Sequence, residues 1–397
     1  MKTHAAIQKP GPANRGRVLS EILRRPGISR TQIGKDLRLN AASVSRACRD
    51  IIAAGLAEET DAHGPSNRPG RRHVGLAPLG SGGYVIGVGI NGFRQTVTLA
   101  DLNNTKIAEW ISPDAPGPDG EAFMRRCLEV ADRMVRANVA NRARFFGIGV
   151  AIAAELNCED QVIDGAPVFG WTSPIHLGSL VREVLNVPLA LSTPASAIGV
   201  AEADFGISRA YENIITLNCS LGLGIAVRRR DTATGVIHDF GQVLWESLSA
   251  DGMGRSLSDH CGGRGVLLDI VGDSPLARIP AEEQVRMLVE AVQRAPNELA
   301  LQAHFHEKGG RAARALSLVI DLMRPECIVL AGPVALSESY VSGFSEALPD
   351  IVSRACAAPE VVQSRMTPAG ASRFLALQAT VAKGDLDLQA IQDPEAA

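Results

Sequence analysis

Ser29-Arg-Thr-Gln-Ile-Gly-Lys-Asp-Leu-Arg-Leu-Asn40-Ala-Ala-Ser-Val-Ser-Arg-Ala-Cys-Arg-Asp-Ile-Ile-Ala-Ala-Gly-Leu56 holds two helix starts in one short run. Ser29 with Gln32 three positions on has the pattern of a capping box, so a helix opens there with Ile33 and Leu37 on one side. It is expected to stop near Arg38, and Leu39 leads into Asn40, a strong N-cap for a second helix. That helix gathers Val44, Ala47, Cys48, Ile51 and Ile52 on one face. At about 100° per residue the opposite face carries Ala42, Ser43, Arg46, Arg49 and Asp50, small or polar groups able to enter a groove. This is the pattern of a helix-turn-helix, whose second helix brings N-terminal residues to base edges while the first crosses the backbone.

The flanks extend the pattern. From Asn14 a helix can run through Val18, Leu19, Ile22 and Leu23 and must end before Pro26-Gly27. Residues 1–13, with Pro10, Gly11 and Pro12, are expected to be a disordered lead. After Gly55-Leu56 the segment Ala57 to Thr60 has strand character and Arg71 to Leu76 is its expected partner, across a stretch from Asp61 to Gly70 rich in turn formers. Three helices and a hairpin make a winged helix-turn-helix over residues 14–78. Its candidate DNA contacts are Arg30, Asn40, Ala42, Ser43, Ser45, Arg46 and Arg49 on the helices and Arg68, Arg71 and Arg72 on the wing.

Charge supports that division. The chain of 397 residues has a formal charge of −3. Residues 1–80 hold 14 Lys and Arg against 6 Asp and Glu, a formal +8, which leaves 26 against 37, or −11, for the remainder. A basic first module on an acidic body suits a polyanionic partner for the module alone. Seven cysteines, scattered and without a Cys-x-x-Cys pair, fit a reducing cytoplasm. No apolar run reaches the length that spans a bilayer and no signal-peptide core is present, so a cytoplasmic protein without a membrane partner is expected.

Beyond residue 79 strands and helices alternate. Tyr84 to Ile90 and Arg94 to Asp101 are apolar-rich strands joined at Asn91-Gly92, a tight-turn signal, with a third strand near Lys106 to Trp110. A helix at about 120–138 precedes a strand at Phe145 to Ile152, and a helix at Ser179 to Leu185 precedes Pro188 to Leu191. Strands recur at Ile214 to Leu217, Gly222 to Val227 and Cys327 to Ala331, the last after a helix at about 309–323. The body is therefore of the α/β class.

The run Asn14-Arg, Ile22-Leu23, Ile28-Ser29-Arg30, Ser43-Val44-Ser45-Arg46, Gly55-Leu56 and Gly70-Arg71-Arg72 resembles the DNA-binding domain of repressors in the ROK family, which also contains sugar kinases. Pro325-Glu-Cys-Ile-Val-Leu-Ala-Gly332-Pro-Val and Gly170-Trp171 with Pro174, Leu185 and Val187-Pro188 extend the likeness to about residue 385. The resemblance implies a two-lobed actin-like ATPase (RNase H-like) fold at 79–390, used for dimerisation and effector sensing.

The family's functional positions are altered. Where ROK kinases have Asp-x-Gly-Gly-Thr, this chain has Gly89-Ile90-Asn91-Gly92-Phe93, and Gly-Thr-Gly-x-Gly becomes Asn218-Cys219-Ser220-Leu221-Gly222. The catalytic Asn-Asp pair falls on Thr193-Pro194, and no acid lies between Glu183 and Glu202 to replace it. The sugar motif Gly-Glu-x-Gly-His becomes Gly241-Gln242-Val243-Leu244-Trp245, and one of four zinc ligands, Cys261, remains, with Asp259 and Val266 at two others. The resemblance thus implies a DNA-binding regulator, a repressor by kind, that is no enzyme and uses neither cofactor nor metal. Its partners would be double-stranded DNA at an inverted repeat, a second copy in a dimer or tetramer, and a sugar or sugar derivative met by Gln242 and Trp245. The competing expectation is a bifunctional, active ROK sugar kinase with an accessory DNA-binding module.

Overall fold

The computed structural model describes residues 13–61, 74–92, 94–230, 237–244, 256–352, 357–382 and 388–392. Three helices come first, α1 (Ala13–Arg24), α2 (Arg30–Leu37) and α3 (Ala41–Ala53). A two-residue strand β1 (Ile28–Ser29) precedes α2, and β2 (Ala57–Asp61) and β3 (Val74–Pro78) follow α3. The three strands form one antiparallel sheet in the order β1-β3-β2, a small winged unit. The first helix starts at Ala13, inside the stretch expected to be a lead, and the rest of that stretch lies outside the described residues. The wing's return strand is described from Val74 and runs on to Pro78, past the expected end at Leu76, and Leu76 is flanked by Ile28 on one side and Glu59 on the other. Arg68, Arg71 and Arg72 lie outside the described residues.

An aliphatic core holds this unit together. Val18, Leu19 and Ile22 of α1, Ile33 of α2 and Cys48 and Ile51 of α3 are fully buried, as the sequence period requires. Burying each large aliphatic side chain contributes about 1.5–3 kcal/mol, which a helix of only a few turns needs in order to persist.

The body is two sheets built to one plan. In the first, β4 (Tyr84–Ile90), β5 (Gln95–Asp101) and β6 (Lys106–Ile111) form an antiparallel meander. Then α4 (Gly120–Asn138) leads to β7 (Phe145–Ile152), and the hairpin β8 (Glu155–Asn157) and β9 (Val162–Gly165) leads to α5 (Leu177–Val184) and β10 (Leu189–Ser192). Strands β7 and β10 are parallel to β4, giving the order 10-7-4-5-6. Helix α6 (Pro194–Phe205) passes to the second sheet, where β11 (Asn213–Cys219), β12 (Leu223–Arg230) and β13 (Ile237–Leu244) are again an antiparallel meander. A helical insertion follows, α7 (Leu257–Cys261), α8 (Gly263–Val271), α9 (Asp273–Leu276), α10 (Ala281–Arg294), α11 (Leu299–Ala315) and α12 (Ser317–Met323). Strands β14 (Cys327–Ala331) and β15 (Glu360–Gln363), separated by α13 (Glu338–Ile351), complete the order 13-12-11-14-15. The last helices are α14 (Pro368–Leu377) and α15 (Leu388–Gln392).

Two expectations need correction. The helix at about 309–323 is two helices parted at Leu316, whose N–H reaches back to the carbonyls of Ala312 and Ala313 and ends α11. The connection at Asn91-Gly92 is not a two-residue turn, because Ile90 pairs with Gln95 and four residues span the gap. Asn91 closes it locally, its Oδ1 accepting from the Arg94 N–H at 3.0 Å and its carbonyl from Gln95 Nε2 at 2.8 Å.

The lobes exchange their final helices. Helix α6 follows the first sheet but packs on β11 and β12 of the second, whereas α14 follows the second sheet but packs on β4 and β7 of the first, and the two helices pack on each other. Helix α14 lies so close to its sheet that side chains are excluded between them. A Cβ on Gly149 would come within 1.8 Å of the Ser372 carbonyl oxygen, and one on Gly89 within 2.5 Å of the Ala369 nitrogen. Among the described residues no helix is long and apolar enough to cross a membrane.

Candidate nucleic-acid interface and inter-lobe cavity

Helix α2 starts as its sequence suggests, with Ser29 Oγ accepting from the Gln32 N–H at 3.2 Å. Only half of the capping box forms, because the Gln32 side chain turns to Asp36 Oδ1 at 2.7 Å. The helix ends where Arg38 takes the left-handed conformation, φ 54° and ψ 42°. The Leu39 N–H then returns to the Gly34 carbonyl at 2.9 Å, and a Cβ on Gly34 would lie 3.2 Å from the Leu39 oxygen. Asn40 caps α3, its Oδ1 accepting from the Ser43 N–H at 2.8 Å. The caps and the left-handed turn fix the angle between the two helices.

Side chains on α3 divide as the period demands. Val44, Ala47, Cys48 and Ile51 are buried and Ile52 half-buried, while Ala42, Ser45, Arg46 and Arg49 are exposed and Ser43 half-buried beside them. Burial pushes the Cys48 thiol up, against the pull of the Arg30 guanidinium. Asp50 is withdrawn from the polar face by Arg15, whose Nε lies 2.9 Å from its Oδ2. Arg30 is also partly committed, its Nη2 lying 2.7 Å from Glu59 Oε1 on β2. Asn40 is likewise partly committed, its Oδ1 to that cap. The geometry therefore gathers Ala42, Ser45, Arg46 and Arg49, adjoined by Ser43, into one exposed strip and gives Arg30 and Asn40 structural duties besides.

In the body a cavity of about 990 Å³ lies between the lobes. Asn91 and Gly92 line it at the position of the first phosphate loop and Gly332 and Pro333 on the nucleotide side, with Ser364 and Thr367 at the crossover into α14. The second phosphate-loop position, 218–222, is closed on itself. The Ser220 N–H is given to the Gly222 carbonyl at 2.9 Å, and the loop's own carbonyls at Ser220 and Leu221 accept from Gly263 and Arg264 at 2.8 and 3.0 Å. An anion cradle needs free amides pointing outward, and here one is used within the loop. Thr193, at the position of the family's catalytic pair, is the buried N-cap of α6 and accepts from the Ser196 N–H at 3.3 Å, with Pro194 as the first helical residue. Neither side chain can take a proton from a sugar hydroxyl. Gln242 lies on β13 opposite Ile225, its side chain is not among those described, and Trp245 lies outside the described residues.

The zinc positions do not fit a metal. Cys261 is buried, its thiol pushed up to about 12 by that burial, and its carbonyl accepts from the Tyr340 hydroxyl at 2.9 Å. Asp259 is spent on capping α7 from Ser256 and on Arg264 Nε at 2.6 Å, and Val266 is core. Among the described residues no three His, Cys, Asp or Glu side chains cluster to hold an ion.

The junction between winged unit and body carries polar contacts with no local signal in the sequence. Arg144 donates to the carbonyls of Gly82 and Ala54 at 2.9 and 3.2 Å. Arg24 of α1 meets Asp204 of α6 at 3.0 Å.

Residues 86–378 match the family model described as the ROK family. The xylose repressor of Caldicellulosiruptor bescii is 28% identical over 210 residues, 53% of this chain, which thus spans about half (52%) of that relative's length. The DNA-binding transcriptional repressor Mlc of Escherichia coli K12 is 22% identical over 340 residues, 81% of each chain. Among solved structures, a ROK family transcriptional regulator homologous to Escherichia coli Mlc superposes with a TM-score of 0.73 at 20% identity, over 96% of this chain and 98% of that one. A ROK family glucokinase from Streptomyces griseus, bound to glucose and AMPPNP, matches with a TM-score of 0.57 at 15% identity, over 75% of this chain and 99% of its own.

Proposed function

The chain belongs to the ROK family, and from that premise we propose that it is a DNA-binding transcriptional regulator, a repressor by kind, working in the cytoplasm. Residues 14–78 form the DNA-binding unit, and 79–390 form a kinase-like body that does no catalysis and serves oligomerisation and effector sensing. The observation that carries this reading is the exposed strip of α3, where Arg46 and Arg49 stand beside Ser43 and Ser45 opposite the buried face of Val44, Ala47, Cys48 and Ile51. An arginine on such a helix pairs bidentately with guanine in the major groove. Arg30 and Asn40 add phosphate contacts at the helix starts, and Arg68, Arg71 and Arg72 add charge from the wing.

One winged unit offers few base contacts, so the chain acts as a dimer or tetramer on an inverted repeat. The altered residues at 91–93, 193–194 and 218–222 support a body without phosphoryl transfer. The body takes a sugar or sugar derivative as effector, for which the family resemblance nominates Gln242 and Trp245, and no cofactor or metal is needed. Selection of bound sequences from a random duplex pool, followed by fluorescence anisotropy on the winner, tests the proposal. Enrichment of a two-fold symmetric site is expected. A pool that stays random after repeated rounds overturns it.

A further inference from the structure

Two sets of polar contacts on α6, one at the inter-lobe cavity and one at the winged unit, are joined by the backbone of that helix. In the first, Ser364, which lines the cavity and is 1% exposed, donates its hydroxyl to Glu202 and accepts from the Met366 N–H at 3.0 Å. Glu202 is buried on α6, and its second oxygen accepts from the Ile207 N–H at 2.8 Å. Two residues along the same helix, Asp204 is buried between two guanidinium groups from different parts of the molecule. Arg24 of α1 in the winged unit reaches Oδ2 at 3.0 Å, and Arg228 of β12 in the second lobe reaches Oδ1 at 2.9 Å. A single carboxylate is thus held at once by the DNA-binding unit and by the second lobe.

Packing makes this contact more than local. Leu19, Ile22 and Leu23 of α1 share one buried cluster with Phe374, Leu375 and Leu377 of α14 and Val381 beyond it. Phe205, next to Asp204, stacks on Phe374 with ring centroids 4.4 Å apart. The seam there is almost filled, with a gap of about 10 Å³ between α1, α6 and α14. A buried carboxylate cannot follow one partner without loosening its hold on the other, so a shift of β12 must be met by a shift at Arg24, while a shift of the Ser364 crossover pulls on Glu202 and reaches Asp204 through the α6 backbone.

We propose that Asp204 is the positioning residue that seats the DNA-binding unit on the body, and that Glu202 and Ser364 tie that seat to the state of the inter-lobe cavity. The consequence for regulation rests on the DNA-binding reading, but the contact itself can be tested without DNA. Native-state hydrogen–deuterium exchange of the full chain reads it in the amides of α1, with β5 and β6 as an internal control. Asp204→Asn should speed α1 exchange about tenfold or more. Ser364→Ala, which removes no hydrogen bond to the winged unit, should speed the same amides by about threefold and leave β5 and β6 unchanged.

The double variant should be no faster than Asp204→Asn alone, because the effect of Ser364 reaches α1 through the Asp204 seat. Asp204→Glu, which keeps the charge, should restore most of the protection. If Asp204→Asn does not fold, Arg24→Gln removes the same contact from the other side. Unchanged α1 exchange in Ser364→Ala, or equal acceleration in β5 and β6, overturns the proposal. A wild-type chain that binds no duplex would defeat the DNA reading and leave the exchange result standing.

Discussion

Helices α3 and α6 begin in the same way and serve opposite ends. Each has a polar N-cap whose side-chain oxygen accepts from the third helical N–H, Asn40 from Ser43 and Thr193 from Ser196. In α3 the residues past the cap alternate between a sealed core face and an open face with Arg46 and Arg49. In α6 they are buried nearly all round, from Pro194 and Ala195 through Ala197, Ile198 and Gly199. Cap chemistry fixes where a helix starts, and the residues beyond it decide whether the helix meets a partner. On the proposed function, the contrast is between a unit with an open face for contact and a body without phosphoryl transfer.

The largest effect that could break this contrast is turnover. Incubated with ATP, Mg²⁺ and a panel of hexoses and N-acetylhexosamines, the protein should transfer phosphate at least about 10²-fold more slowly than an active ROK kinase, since loss of a general base alone removes about 10² to 10⁴ in rate. Sugar-dependent ADP release at the kinase's own rate would show that Thr193-Pro194 is not the deficit it is taken to be.

Next in size is the core under the recognition face. Ile51 is fully buried in α3, and Ile51→Ala should destabilise the winged unit by about 2–5 kcal/mol through lost transfer and the cavity left behind. A thermal melt and duplex binding on the same sample would sharpen the comparison, because loss of binding should follow loss of the unit's fold. A shift below about 1 kcal/mol would mean that α3 is held by the body rather than by its own core.

What could be read in the sequence was local. Ser29, Asn40 and the spacing of Val44, Ala47, Cys48 and Ile51 located α2 and α3 because caps and helical period act over a few residues. The strand runs 84–90, 145–152 and 327–331 were legible for the same reason. The duplication of the two sheets was not, since it resides in the order of strands and not in any repeated residues. The short strand β1 exists only because β3 offers an edge to Ile28 and Ser29. The exchange of α6 and α14 and the meeting of Arg24 with Asp204, 180 residues apart, depend on how the whole chain closes. Of the candidate contacts, the strip on α3 followed from periodicity, whereas the engagement of Arg30 with Glu59 needed the fold of the hairpin.

A smaller effect divides base reading from general attraction. Arg46→Ala should weaken binding to the selected duplex by about 1–3 kcal/mol per half-site and relax preference at particular base pairs, because a bidentate contact to guanine is lost. Anisotropy titrations against the selected and scrambled duplexes measure both numbers. An unchanged preference would show that α3 is not the reader.

The smallest effect completes the comparison. Arg71, expected on the wing from the sequence, lies outside the described residues, and its proposed duty is charge alone. A phosphate contact releases condensed counterions on binding, and that release is independent of base sequence. Arg71→Ala should therefore weaken the selected and scrambled duplexes alike, and the slope of log affinity against log salt should flatten by about one. Arg46→Ala should instead change the gap between the two duplexes. Titration of both variants at several salt concentrations separates the roles, since a reader changes the difference between sequences and a charge changes the slope they share. If Arg71→Ala narrows the gap and Arg46→Ala moves only the slope, the wing reads the bases and α3 rests on the backbone, and the two surfaces of the winged unit exchange roles.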